Sequence, residues 1–295
     1  MCEALLNENE VIAVDDLSTG SLTNISHFIE KGKVSFLEGT VTDLGFMKKM
    51  LRGADYVFHQ AAITSVPRSV KDPLKTNEAN VSGTLTTLIA ARDAGVKKFI
   101  FASSSSVYGD TPTLPKKEEM APNPLSPYAL TKDTCESYCR LFEQLYGLKT
   151  MVLRYFNVFG PRQDPNSEYA AVIPKFINCA LSGDRLTICG DGEQTRDFTF
   201  VKDVVNANML AACSEAVGIY NIASGRRTTI NELAQIISQL TGSRSETEHC
   251  PPRPGEVRHS LADISKAREA FGYAPRFTLL QGLEETVKWF KGSKD

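Results

Sequence analysis

The chain has 295 residues, 42% of them apolar and 23% charged, with a formal net charge of −2. That balance belongs to a globule with a sizeable core and excludes collagen, coiled coil and disorder. Basic pairs such as Lys116-Lys117 are followed at once by Glu118-Glu119, so neither a nucleic-acid nor a membrane-surface footprint is expected. Seven cysteines (Cys2, Cys135, Cys139, Cys179, Cys189, Cys213, Cys250) are an odd count without a Cys-x-x-Cys, and read as reduced thiols of a cytoplasmic protein. Cys135 and Cys139 lie one helical turn apart, but His27, His59, His249 and His259 give them no zinc spacing, so no metal is expected. No run approaches the ~18 apolar residues of a membrane span, and Met1-Cys2-Glu3 is not the basic start of a signal peptide.

In chain order, Cys2 to Asn7 reads as the rear half of a helix. The runs Val11 to Val14, Val34 to Leu37, Tyr56 to His59, Phe99 to Phe101 and Met151 to Leu153 are brief and apolar, and predict buried strands. Between them, Asn77 to Ala94 and Pro127 to Tyr146 carry apolar residues at helical spacing, the former ending at Gly95. The repeated βα order predicts an α/β fold with a doubly wound parallel sheet.

After Phe156 the regularity breaks, and a second domain is expected. Gly160 to Ser167 is rich in Pro, Asn, Asp and Gln. A helix over Ala171 to Leu181, a strand over Leu186 to Cys189 and a turn at Gly190-Asp191-Gly192 follow. Asp197 to Val201 and Ile219 to Ile222 read as further strands. Thr229-Ile230-Asn231-Glu232 is a capping box opening a helix striped by Ile230, Leu233, Ile236, Ile237 and Leu240. The last helix is expected near Leu279 to Phe290.

Val11 to Asp16 has the form of the second strand of a dinucleotide-binding βαβ unit, whose terminal acid binds the adenosine ribose. The glycine-rich turn that admits the pyrophosphate lies about 20 residues before that acid. Counting back from Asp15 runs off the start of the chain, and no G-x-x-G-x-x-G occurs elsewhere, so the first strand and loop are expected to be lacking. A plain strand-to-loop turn at Asp15-Asp16 is the competing reading of this segment.

Tyr128 and Lys132 stand at i and i+4, hence on one helix face. Taken alone, such a pair also suits a solvated surface. Their company is what points to chemistry: the fourth strand ends in Ala102-Ser103-Ser104-Ser105-Ser106, a hydroxyl run at the carboxyl end where parallel sheets bind ligands. A polar strand end is the plainer alternative for that run. A phenol titrates near 10, so as a base at neutral pH it needs a nearby positive charge. Ser, Tyr and Lys together suit removal of a proton from an alcohol whose carbon gives hydride to NAD.

These residues, with Val-Ile-Ala-Val-Asp-Asp-Leu-Ser-Thr-Gly (11 to 20), Val-Phe-His-Gln-Ala-Ala (57 to 62), Asn-Val-Ser-Gly-Thr (80 to 84), Ser-Ser-Ser-Val-Tyr-Gly (104 to 109), Ser-Pro-Tyr-Ala-Leu-Thr-Lys (126 to 132), Arg-Tyr-Phe-Asn-Val-Phe-Gly-Pro-Arg (154 to 162), Arg-Asp-Phe (196 to 198) and Arg-Pro-Gly-Glu (253 to 256), follow one another in a specific order. The chain resembles the extended short-chain dehydrogenase/reductases, most closely the nucleotide-sugar 4-epimerases of the UDP-glucose or UDP-N-acetylglucosamine type. The resemblance implies a Rossmann-like cofactor domain over residues 1–156, to which 196–223 return. A smaller α/β domain, 157–195 and 224–295, would serve mainly the UDP-sugar.

The same resemblance implies a role for each matching position. Asp15 would bind the adenosine ribose, with Asp16, Ser18, Thr19 and Gly20 beside it and Thr40 and Val41 near the adenine. Ala61, Ala62 and Asn80 would line the cofactor cleft, and Tyr155 would approach the nicotinamide. Tyr128 is the implied base, Lys132 its electrostatic partner and nicotinamide-ribose ligand, and Ser104 the hydroxyl that contacts the sugar. Asn157, Ala171, Val172, Arg196 and Arg253 match positions that hold the UDP portion, and guanidinium meets phosphate in a bidentate fork. The helices Asn77 to Ala94 and Pro127 to Tyr146 match those of a four-helix homodimer contact, although their apolar faces also suit burial within one subunit.

The implied reaction is 4-epimerisation through a transient 4-ketosugar, with NAD as a regenerated cofactor. Related dehydratases carry Thr-Asp-Glu where this chain has Ser104-Ser105-Ser106, and related decarboxylases a glutamate, so those reactions are the alternatives. A truncated, non-catalytic chain is the third. The position that gates the room beside C2 of the sugar matches Ser260, where glucose-restricted members have tyrosine. The segment Arg162 to Asn166 also resembles members acting on acetamido sugars. Interconversion of UDP-GlcNAc and UDP-GalNAc is therefore expected alongside that of UDP-Glc and UDP-Gal.

Overall fold

The helices begin and end where side chains or backbone can satisfy their terminal groups. Asp43 accepts from Phe46 N at 2.9 Å, Ser65 from Arg68 N at 3.2 Å and Ser126 from Ala129 N at 3.2 Å. Each such N-cap contributes about 1 kcal/mol to its helix. The computed structural model describes residues 1–6, 9–165, 171–252 and 257–292.

In chain order the elements are α1 (Cys2–Leu5), β1 (Val11–Asp15), α2 (Ser26–Glu30), β2 (Val34–Glu38), α3 (Leu44–Met50) and β3 (Tyr56–His59). There follow α4 (Val66–Lys71), α5 (Pro73–Asn77), α6 (Gly83–Ala94), β4 (Lys98–Ser104), α7 (Pro127–Tyr146) and β5 (Thr150–Tyr155). Next come β6 (Val158–Phe159), α8 (Val172–Ser182), β7 (Leu186–Cys189), β8 (Thr195–Arg196), β9 (Thr199–Phe200) and α9 (Val201–Cys213). The chain continues through β10 (Gly218–Ile222), β11 (Thr228–Thr229), α10 (Ile230–Thr241), β12 (Thr247–Cys250), α11 (Ser265–Phe271) and α12 (Leu279–Gly292).

Two compact units emerge, the first formed by Met1–Ser103, Ser126–Leu153 and Ala211–Ile219, the second by Ser104–Leu125, Arg154–Leu210 and Tyr220–Asp295. In the first, β3 and β4 pair in parallel from Tyr56 opposite Lys98 to His59 opposite Phe101. They belong to a four-stranded sheet of order β10-β5-β4-β3. Residues Lys98 to Ser103 of β4 are all buried, which is why that strand reads as a continuous apolar run. Val57, Leu88, Phe99, Phe101, Cys135, Cys139, Phe142 and Val152 make the core of this unit. Strands β1 and β2 pair with each other in parallel, Asp15 opposite Glu38, as a separate two-stranded sheet.

The second unit is cored by Phe159, Ile173, Phe176, Ile177, Phe200, Leu233, Ile237, Leu283 and Phe290. The expected capping box is present: Thr229 accepts from Glu232 N while the Glu232 carboxylate accepts from Thr229 N. No helix among the described residues is long and apolar enough to cross a membrane.

Two expectations were off locally. The helix read over Asn77 to Ala94 is interrupted, because Glu78–Ser82 winds as a π-turn before Gly83 begins the regular helix. A strand over Asp197 to Val201 does not form: Asp197 leaves the ladder to accept four hydrogen bonds, β9 is only Thr199–Phe200, and Val201 already starts α9.

Candidate functional site

In the first unit, α7 carries Tyr128 and Lys132. Ser126 caps it, Pro127 occupies its first turn where a missing N–H costs nothing, and Gly147 ends it in the left-handed conformation. Tyr128 N donates to Ser69 Oγ at 3.1 Å, and Thr131 Oγ1 donates to Tyr128 O at 2.7 Å. Both Tyr128 and Lys132 are buried, and the Lys132 ammonium lies 6.0 Å from the centroid of the Tyr128 ring. The i, i+4 spacing therefore does bring ammonium and phenol ring to one face.

Lys132 Nζ donates to Ala102 O at 2.7 Å and sits 4.9 Å from the Phe101 ring centroid, both on β4. Burial pulls its pKa down to about 8, against the opposing pull of Cys135, Glu136 and Cys139. One bond to a carbonyl leaves donor capacity on an ammonium that carries three N–H groups. Beside it, buried His59 shares a 2.9 Å hydrogen bond between Nε2 and Thr84 Oγ1. Burial first, and then the charge of Lys132, push His59 down to about 3. His59 is therefore neutral at physiological pH. Ser103 Oγ donates to the buried Glu136 carboxylate, one turn beyond Lys132.

Asn80 joins three elements. Its Oδ1 accepts from Ile63 N at 2.8 Å, and its Nδ2 donates to Ile63 O at 3.1 Å and to Thr131 Oγ1 at 3.0 Å. It thereby ties the loop holding Ala61 and Ala62 to α7. These bonds explain how a fully buried amide is tolerated at that position.

Asp15 and Asp16 stand at the C-terminal end of β1, exposed to solvent. Asp15 Oδ1 accepts from Leu17 N at 2.7 Å and Asp16 Oδ1 from Ser18 N at 3.0 Å. The bond from Ser18 holds the Asp16 carboxyl below its ordinary range. Gly20 lies against the Asp15 carboxylate so closely that a Cβ there would come within 3.0 Å of Oδ2. Gly39 N donates to Asp15 O at 3.1 Å, which brings Thr40 and Val41 to the same end of the two strands. Val41 packs on α6, where a Cβ on Gly83 would fall 2.7 Å from its Cγ2. Asp15 and Asp16 thus make the turn hydrogen bonds of the plainer reading, and both residues are exposed.

The second unit holds the remaining positions. Ser104 Oγ accepts from Ser106 N at 3.1 Å and opens a single 3-10 turn. Gly109 closes it at φ +60°, and a Cβ there would lie 2.0 Å from Asn123 O, so only glycine fits. Tyr155 Oη meets Asn208, accepting from Nδ2 at 2.8 Å. Asn157 is exposed with φ +31°. Ala171 is the N-cap of α8, without a side-chain cap bond, and Val172 its first residue. Arg196 Nη1 donates to Thr195 O at 3.0 Å and Arg258 O at 3.2 Å, and Ser260 N donates to Thr195 O at 3.0 Å, so Arg196 and Ser260 meet on one backbone edge. Arg253 lies outside the described residues, as does Asn166 of the segment from Arg162.

The sequence reading overlooked Asp197. Its buried carboxylate accepts from Ser224 N and Oγ, Gly225 N and Ala262 N, and burial raises its pKa. It anchors the segments next to Arg196 and Ser260. The buried His59 and Glu136 beside Lys132 were likewise not singled out. Their signal was a charged or polar residue inside an otherwise apolar period, which is visible only once the buried face is known.

The model of the NAD dependent epimerase/dehydratase family matches residues 1–223. A UDP-glucose 4-epimerase of Mycolicibacterium smegmatis is 38% identical over 97% of this chain and 92% of its own. Among solved structures, a UDP-N-acetylglucosamine 4-epimerase of Methanobrevibacter ruminantium, in complex with UDP-N-acetylmuramic acid, superposes with a TM-score of 0.95. It is 44% identical and covers 98% of this chain and 93% of that one. A UDP-glucose 4-epimerase of Thermotoga maritima with UDP-glucose gives a TM-score of 0.95 at 39% identity, over 99% and 94% of the two chains.

Proposed function

Because the chain belongs to the NAD-dependent epimerase/dehydratase family, we propose that it interconverts the C4 epimers of UDP-hexoses. The carrying observation is the pair on α7: a buried ammonium 6.0 Å from the centroid of the Tyr128 ring. Tyr128 Oη takes the proton of the sugar 4-hydroxyl, Lys132 stabilises the phenolate, and the Ser104 hydroxyl holds the reacting oxygen. NAD, when bound, supplies the hydride acceptor for C4 and the source of its return to the other face. Tyr128 then hands the proton back to the same oxygen.

The residues present fit that cofactor at its two riboses. The exposed Asp15 carboxylate, with bare Gly20 against it, suits the adenosine ribose, beside Asp16, Ser18 and Thr19 and close to Thr40 and Val41. Lys132 suits the nicotinamide ribose, while Asn80 fixes the loop of Ala61 and Ala62 and Tyr155 approaches the nicotinamide. In this reading residues 1–156 and 196–223 serve NAD, whereas 157–195 and 224–295 serve mainly the UDP-sugar. Asn157, Ala171, Val172, Arg196 and Arg253 hold the nucleotide, and the positive end of the α8 dipole, whose N-cap Ala171 brings no side-chain cap, favours an anion.

Ser260 leaves room for an N-acetyl group beside C2. Assays with UDP-Glc and with UDP-GlcNAc, plus NAD measured after denaturation, test the whole reading. Epimerisation of both sugars with NAD near one per chain is expected, and absence of NAD from an inactive protein would overturn it. In Ser260→Tyr, turnover of the acetamido pair should be abolished and that of the glucose pair spared. Equal loss on both would remove Ser260 as the gate.

The homodimer belongs to the same reading. Leu130, Leu141 and Leu145 of α7 are exposed at helical spacing, a stripe that a second copy would cover. Sedimentation should give twice the 32.4 kDa of one chain, and a double Leu141→Glu, Leu145→Glu variant should sediment as one.

A further inference from the structure

Strands β7 and β12 run parallel and in register, Thr247 opposite Leu186 and Cys250 opposite Cys189, as a sheet of two. In-register neighbours project to the same face, and the two sulfur atoms lie 3.0 Å apart. Around them the backbone is fixed by three bonds. Gly190 N donates to Cys250 O at 2.8 Å, Gln194 Nε2 donates to Cys189 O at 2.7 Å, and His249 Nδ1 lies 2.8 Å from Gly190 O.

Both side chains are half-buried reduced thiols, within reach of a small oxidant. By contrast Cys135 and Cys139 are buried in the core of the first unit, and burial raises both of their thiol pKa values. The strand carrying Cys250 lies at the surface. Thr247, Glu248 and His249 are exposed, and the pairs of Arg185 with Glu246 and Glu248 are surface ion pairs, which contribute little.

We propose that Cys189 and Cys250 form a thiol–disulfide site, oxidised by a small-molecule disulfide to a reversible staple between β7 and β12. Neighbouring strands stand about 4.8 Å apart, within the range of Cα separations that a disulfide spans. The thiolate of one cysteine attacks a sulfur of oxidised glutathione, forming a mixed disulfide and expelling one glutathione thiolate. The second cysteine then attacks the protein sulfur, the Cys189–Cys250 bond forms, and the second glutathione leaves. Two protein thiols lose two protons and two electrons, and one oxidised glutathione becomes two reduced ones. The staple fixes the point where the chain leaves β12 toward residues 253–260. It closes a long loop of the unfolded chain, so the oxidised form should melt about 5 °C higher.

The test uses the full chain, reduced, freed of reductant and incubated with oxidised glutathione. The thiol count in denaturant should fall by two from seven, with a mass loss of about 2 Da and a linked peptide pair carrying residues 189 and 250. Dithiothreitol should restore all seven. In Cys250→Ser the resolving thiol is gone, so Cys189 should instead retain one glutathione. A wild-type count that stays at seven overturns the proposal, as does a stable adduct on each of the two cysteines or a link between other cysteines. None of these readings depends on activity, so they stand or fall separately from the epimerase reading.

Discussion

Around Lys132 buried side chains are bonded from one element to another: Lys132 of α7 to the carbonyl of Ala102 on β4, His59 of β3 to Thr84 on α6, and Ser103 of β4 to Glu136 on α7. Around Asp15 the carboxylates are exposed at the end of a sheet of two strands and accept bonds from residues two positions away. Both regions belong to the first unit. The contrast teaches that the region proposed for proton transfer is organised by packing between elements. The region around Asp15, where the proposed reading puts the adenosine ribose, is organised by local turn chemistry and leaves its carboxylates exposed.

The sharpest way to separate the two regions is Tyr128→Phe. It removes the proton acceptor and keeps the ring, so kcat should fall by at least ~10²-fold with NAD retained. Near-normal turnover would take Tyr128 out of the mechanism. Next in size is Asp15→Asn, which removes a charge-assisted hydrogen bond of about 1.5–3 kcal/mol and should weaken NAD binding roughly 10- to 100-fold. Thermal stability should hardly change, since the side chain is exposed. A large fall in Tm with unchanged NAD affinity would show that Asp15 is only a turn residue.

The smallest effect is a pH dependence confined to the packed region. His59 is pushed to about 3 in the folded protein, below its ordinary 6.5. Between those values the unfolded chain binds a proton that the native state refuses, so stability is full above about 6.5 and is lost as the pH falls toward 3. From pH 7 to 5.5 this should cost about 1 kcal/mol in denaturant titrations, a loss that His59→Gln should not show. An identical acid loss in the variant would assign it to other groups.

How much of this was legible in the chain varies with how local the cause is. Helix α7 was readable over its whole length, because Ser126 and Pro127 at its start and Gly147 at its end are cap chemistry written in the residues that flank it. The i, i+4 placement of Tyr128 and Lys132 follows from helix geometry alone. The π-turn at Glu78–Ser82 was not readable, nor was the break at Asp197. Asp197 follows the groups that donate to it, on Ser224, Gly225 and Ala262, which are far away in sequence.

What the sequence determined by itself is the strands β1 to β5, the capped helix α7, and which residue types share a helix face, since periodicity and capping depend on neighbours within a turn. Only the tertiary structure decided that Lys132 is buried with a pKa near 8, that His59 lies beside it unprotonated, and that two cysteines 61 positions apart touch. Desolvation and sulfur contact depend on which strands lie side by side, and that is set by pairing between distant segments.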